Sequence, residues 1–264
     1  RRFLDVRPGE GLSVLLTFLY VATVVAAFLL AKPIRNGLFL EQYGPYSLVY
    51  VYAAVPIALT LFVPLYTRAV ARVGSRLLTV VTLLFFATNV LFFWYAFRYH
   101  PFRLLPGVFF VWVNCFGIIA PVQAWSFANS IFDTRQAKRL FGLIGAGASF
   151  GAITGGVLAR YLVDPVGGAV NMLLVLAVLI VAAAAIVAVA NTRIRHKSVT
   201  RPMAYSREPV RDAVRQIAGS PYLRLMAALV FLVAIATQWT AFQLSLVADE
   251  KFAGDAAALT RFFG

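Results

Sequence analysis

Long apolar runs separated by short polar breaks dominate the chain. They cover roughly residues 11–34, 46–66, 77–97, 105–131, 141–163, 168–190 and 225–247. Each approaches or exceeds the ~20 apolar residues that an α-helix needs to cross the hydrocarbon core of a bilayer. The pattern predicts six spans with short loops, then the one long polar segment, then a seventh span. The tail from Ala248 to Gly264 reads as an external loop leading into an eighth span. Within the long segment, Val210, Val214 and Ile217 share one helical face, and Arg207, Arg211 and Arg215 share another. That spacing predicts an amphipathic helix on the membrane surface that links two bundles.

Composition agrees with this class. Hydrophobic residues make up 61% of the chain and charged residues 13%, with a mean hydropathy of +0.83; soluble domains carry about 25% charged residues. A soluble fold of 264 residues could not hide so much apolar surface. The net charge of +14 would suggest a nucleic-acid partner until the cations are placed. Most fall in segments on the side of the N-terminus: Arg1, Arg2 and Arg7; Arg68, Arg72 and Arg76; Arg135, Lys138 and Arg139; and the run from Arg193 to Arg224. This alternation follows the positive-inside rule, so the basicity encodes topology, with a cytoplasmic N-terminus. The expected partners are the lipid bilayer and a small anionic substrate, and nucleic acid is excluded.

Six spans, a basic linker and further spans form the layout of a major facilitator transporter, built from two six-helix halves around a midplane site. The expected fold class is an all-α polytopic membrane protein, a major facilitator-type helical bundle. Residues 1–191 would form the N-terminal six-helix bundle, 192–224 a basic cytoplasmic linker, and 225–264 the start of a C-terminal bundle belonging to a longer chain.

Three features stand out against the apolar background. In "LLAKPIRNGLFLE", Leu29 to Glu41, the cations Lys32 and Arg35 lie three apart beside Pro33 and Gly37, which would let the helix bend or end. A cation at the centre of a span costs ~2.5–3.5 kcal/mol on insertion scales. Two readings stand side by side: snorkelling at the outer surface, or a cationic site for an anionic substrate. Arg would hold a phosphate or carboxylate through its fork and Lys would add a point charge. The fourth span carries Asn114, Gln123, Ser126, Asn129, Ser130 and Asp133, with Pro121 able to free a carbonyl. These polar groups either bond neighbouring helices or line a wet cavity. Gln238 and Gln243 in the seventh span pose the same alternatives. The fifth span holds Gly147, Gly151 and Gly155 four apart, a small-residue face that lets another helix come close.

Enzymatic chemistry lacks its parts. His100 and His196 fall on opposite sides of the predicted membrane, the single Cys115 lies inside a span, and no metal-ligand or nucleophile motif is present. The glycine-rich stretch lacks the Lys and Ser/Thr of a phosphate loop and the spacing of a dinucleotide fingerprint. Neither a cofactor nor a metal is expected.

The stretch "AWSFANSIFDTRQAKRLFGLIGAGASFGAITGG", Ala124 to Gly156, resembles the fourth-to-fifth helix region of the ATP/ADP translocase family. These are the nucleotide exchangers of plastids and intracellular bacteria, with further bacterial relatives. The matching positions are Trp125, Phe127-Ala128-Asn129, Ala137-Lys138 and the glycines. "AKPIRNGLFL" is similar to the family's first-helix segment, in which two basic residues precede an Asp. Here Lys32 and Arg35 take the basic positions and Asn36 the acidic one. The exchangers also carry an acidic residue in the fourth helix ahead of the tryptophan, where this chain reads Val113-Asn114. Both departures remove negative charge. The resemblance implies a facilitator fold and transport of a nucleotide or other phosphorylated metabolite by alternating access, as an antiporter. On these grounds Lys32, Arg35, Asn36, Asn114, Gln123, Asn129 and Gln238 are the candidate substrate-binding residues. The rival expectation is a non-transporting subunit that keeps a transporter-like fold within a larger complex of membrane-protein subunits.

Overall fold

The computed structural model describes residues 7, 9–72, 75–194, 215, 216, 218–252 and 254–264. Apart from 215 and 216, the amphipathic helix expected over 207–217 falls outside them. The described elements are all helical. Six long helices come first: α1 (Gly11–Tyr43), α2 (Leu48–Arg72), α3 (Ser75–Tyr99), α4 (Leu105–Ile131), α5 (Thr134–Leu162) and α6 (Met172–Arg193). Further along the chain come α7 (Pro221–Phe252) and the short α8 (Ala256–Phe263). Seven of the helices are long and apolar enough to cross a membrane.

α1 is the central post, in contact with α4, α5, α6 and α8. It runs unbroken through Pro33, which is buried inside it. The helix does not end at Pro33 or Gly37, where the sequence would allow it to; Gly44 (φ 70°) ends it instead. At 33 residues it is about 50 Å long. The length lets it reach from the N-terminal side to the turn where the Tyr43 hydroxyl donates to the Arg103 carbonyl.

α5 packs on α1 through its glycine face. A Cβ at Gly147 would sit 2.9 Å from the Phe18 carbonyl oxygen, and one at Gly155 would sit 2.5 Å from that of Ala26. Between them, a Cβ at Gly151 would run into the carbonyl of Ala22. The partners advance together in steps of four, so the two helices run side by side in the same direction. Missing side chains bring the backbones into van der Waals contact along two turns, which is what holds helices together where no hydrophobic force separates lipid from protein.

The N-terminal ends of α1 and α5 are tied by polar groups. Gln136 Oε1 accepts from the Asp133 backbone N–H at 3.0 Å, completing a capping box at the start of α5. The same Gln136 donates from Nε2 to Glu10 Oε1 at 2.9 Å, and Arg139 donates to Glu10 Oε2 at 2.6 Å. α3 packs on α6 and on α4. Between α3 and α4, Trp112 stacks with Phe109 and Phe116 and meets Phe86 and Phe93 edge-on. α7 is different: only Ser245 and Ala248 are buried along it. α8 docks against α1 and α5, with the Asp255 carboxylate capping its first turn through the N–H groups of Ala257 and Ala258.

Candidate functional site

The close seating of α8 shapes a chamber of about 280 Å³ between α1, α2, α4, α7 and α8. Gly37 makes that seating possible, because a Cβ there would collide with the Thr260 side chain and lie 2.6 Å from the Ala256 carbonyl oxygen. Thr260 is fully buried, and its hydroxyl reaches the Pro33 carbonyl at 3.5 Å. On the outer rim Arg261 pairs with Asp164 of the α5–α6 turn at 2.6 Å.

Arg35 is the chamber's cation. Its guanidinium lies 4.0 Å from the centre of the Phe110 ring, a cation–π arrangement. Nε and Nη2 both donate to Asn36 Oδ1, at 3.1 and 2.9 Å. The remaining guanidinium hydrogens find no acceptor among the described residues and are available to a ligand. Asn114 from α4 and Gln238 from α7 complete the polar lining with Ser245. Tyr52, Phe110 and Phe263 supply aromatic walls. No carboxylate is among the described residues that line the chamber. Its volume lies near the lower end of the ~300–1,000 Å³ common for small-molecule sites.

Four of the seven candidate residues from the sequence therefore meet here: Arg35, Asn36, Asn114 and Gln238. Lys32 does not line the chamber. Its Nζ lies over the Phe28 ring, 4.5 Å from the centre, and that ring fills the space left open by Gly117 on α4. Helical side chains lean toward the N-terminus, which carries Lys32 down onto Phe28 while Arg35 meets α4 at Phe110. Gln123 is buried lower in the bundle and donates to the Tyr66 hydroxyl at 2.7 Å. Asn129 is exposed near the far end of α4. Tyr52, Phe110, Ser245 and Phe263 were not singled out in the sequence. Their one signal, aromatic or small polar character inside a span, is shared with many lipid-facing residues.

A family model described as TLC ATP/ADP transporter matches residues 107–250, more than half of the chain. The chain belongs to this family. No curated protein and no solved structure matches it. Together with the seven apolar helices among the described residues, membership makes this TLC-family protein a multi-pass membrane protein and implies a carrier. The matched stretch contributes Phe110, Asn114, Gln238 and Ser245 to the chamber. Arg35, Asn36, Tyr52 and Phe263 come from outside it.

Proposed function

We propose that this protein moves a phosphorylated organic anion, a nucleotide in the first instance, across the membrane by alternating access. The fold would be of the major facilitator type, with 1–191 as the N-terminal bundle, a cytoplasmic N-terminus and a bacterial inner membrane as the location. The basic residues clustered on the N-terminal side support that orientation. One observation carries the reading of the site. Arg35 is set in a chamber of carboxamides, hydroxyls and aromatic rings with no carboxylate among the described residues of its wall. Such a cation is costly within a span unless water or an anion meets it. The guanidinium fork suits phosphate oxygens, and the rings of Tyr52, Phe110 and Phe263 suit a flat apolar group beside them. The family match favours a carrier over a non-transporting subunit.

The test is exchange in vesicles containing the purified protein. External labelled ADP should accumulate when unlabelled ADP is loaded inside, and Arg35→Gln should abolish that accumulation without altering the protein's elution as a folded species. Equal accumulation in wild type, variant and protein-free vesicles would refute the proposal.

A further inference from the structure

Asn36 is the only group that accepts from the Arg35 guanidinium among the described residues. It uses one carboxamide oxygen to receive both Nε–H and Nη2–H, the edge a carboxylate takes in a forked ion pair. The geometry fixes the guanidinium direction as a carboxylate would, yet adds no negative charge. The Phe110 ring lies 4.0 Å from the same group and attracts it through its quadrupole, again without neutralising it. The chamber thus keeps a positioned, uncancelled positive charge. Between water and dry protein, an interaction with such a charge strengthens as the dielectric falls, so a neutral clamp matters more here than on a surface.

We propose that Asn36 is a specificity-determining residue: it orients Arg35 through a neutral carboxamide so that the full charge is left for the substrate, and it thereby sets a preference for more highly charged anions. The inference rests on the reading of the chamber as an anion site. An Asp at position 36 has nearly the same shape and accepts from the same two N–H groups. It converts the clamp into an internal ion pair that competes with the ligand's phosphate. An Ala at position 36 removes the clamp and keeps the charge. Two roles are therefore separable. If Asn36 only orients Arg35, Asp is a good replacement and Ala a poor one. If it preserves charge, Asp selectively penalises charged ligands.

The experiment measures binding of ADP, AMP and adenosine to the purified full chain in detergent or nanodiscs, for wild type, Asn36→Asp and Asn36→Ala. Wild type should prefer ADP to AMP and AMP to adenosine. Asn36→Asp should weaken ADP by about tenfold or more while adenosine falls by less than about threefold, which collapses the ADP-to-adenosine ratio. Asn36→Ala keeps the charge and loses only its aim, so it should lower the ADP-to-adenosine ratio by clearly less than Asn36→Asp does. An Asn36→Asp protein that keeps the wild-type ratio overturns the inference and leaves the anion site standing. So does an Asn36→Ala protein that loses the ratio equally. A wild type with no preference for ADP over adenosine overturns the anion reading itself, before any variant is compared.

Discussion

The carbonyl of Ala22 on α1 occupies the space that a Cβ at Gly151 on α5 would need. Backbone faces backbone there, so neither side can yield by rotating a side chain. Gly151→Ala should therefore lower stability by about 1–3 kcal/mol or more, the range for overpacked cores. Gly142 lies on the same helix, exposed, with nothing within 4 Å of its added Cβ. Gly142→Ala should raise stability by roughly 0.5–1 kcal/mol through helix propensity alone. Thermal unfolding of the two variants in one detergent checks the pair, and a shift of the same sign in both would contradict the packing account.

Gly37 plays the equivalent role for α8. Gly37→Val places methyl groups against Thr260 and the Ala256 carbonyl and should undock the helix. Thr260 is fully buried, so a Thr260→Cys reporter should resist a water-soluble maleimide in the otherwise wild-type protein and react in the Gly37→Val background. The exposed Arg261–Asp164 pair contributes only ~0–1 kcal/mol, so Asp164→Asn alone should leave the reporter protected.

Glu10 gives a pH dependence with a definite sign. The Arg7 backbone N–H is the main cause that holds its carboxyl below the usual value of 4.5; desolvation opposes it, and the hydrogen bonds from Gln136 and Arg139 and the Arg139 charge lower it further. A depressed folded-state value means that the stabilisation is fully present above about pH 4.5 and is lost as pH falls through the folded value. Glu10→Gln should thus be less stable than wild type at pH 7, by on the order of 1 kcal/mol once solvent screening is allowed for. The gap should close as pH falls from 4.5 through the lowered folded-state value, where the native carboxyl protonates. Melting temperatures at pH 7 and below the folded-state value test this, and a gap that persists unchanged in acid would contradict it.

The helices were legible because a bilayer demands long apolar runs and little else. Periodicity also gave the glycine face, since residues four apart must align. Four of the candidate site residues meet in one chamber, but periodicity alone could not have separated Lys32 from Arg35. Their spacing puts them on one face, and the difference comes from what each meets: the Phe28 ring in one case, Phe110 and Asn36 in the other. Gln123 and Asn129 show the same limit. Sequence left both as either helix-bonding or cavity-lining groups; Gln123 bonds Tyr66 of α2 inside the bundle, and Asn129 is exposed. Tyr52, Phe110 and Phe263 were hidden by abundance, in a chain where 14% of residues are aromatic. Whether α1 ends at Pro33 could not be read from the sequence, because neighbouring helices can support a proline that would end an isolated helix.

The central claim is that Arg35, and not its neighbour Lys32, holds the anion. The most direct measurement compares ADP exchange by Arg35→Gln and Lys32→Gln in vesicles, with melting temperatures measured alongside. Exchange should vanish in Arg35→Gln, with no loss of melting temperature because an uncompensated cation has been removed from a span, and should persist in Lys32→Gln. Exchange that survives without Arg35, or that depends on Lys32 instead, would contradict the account.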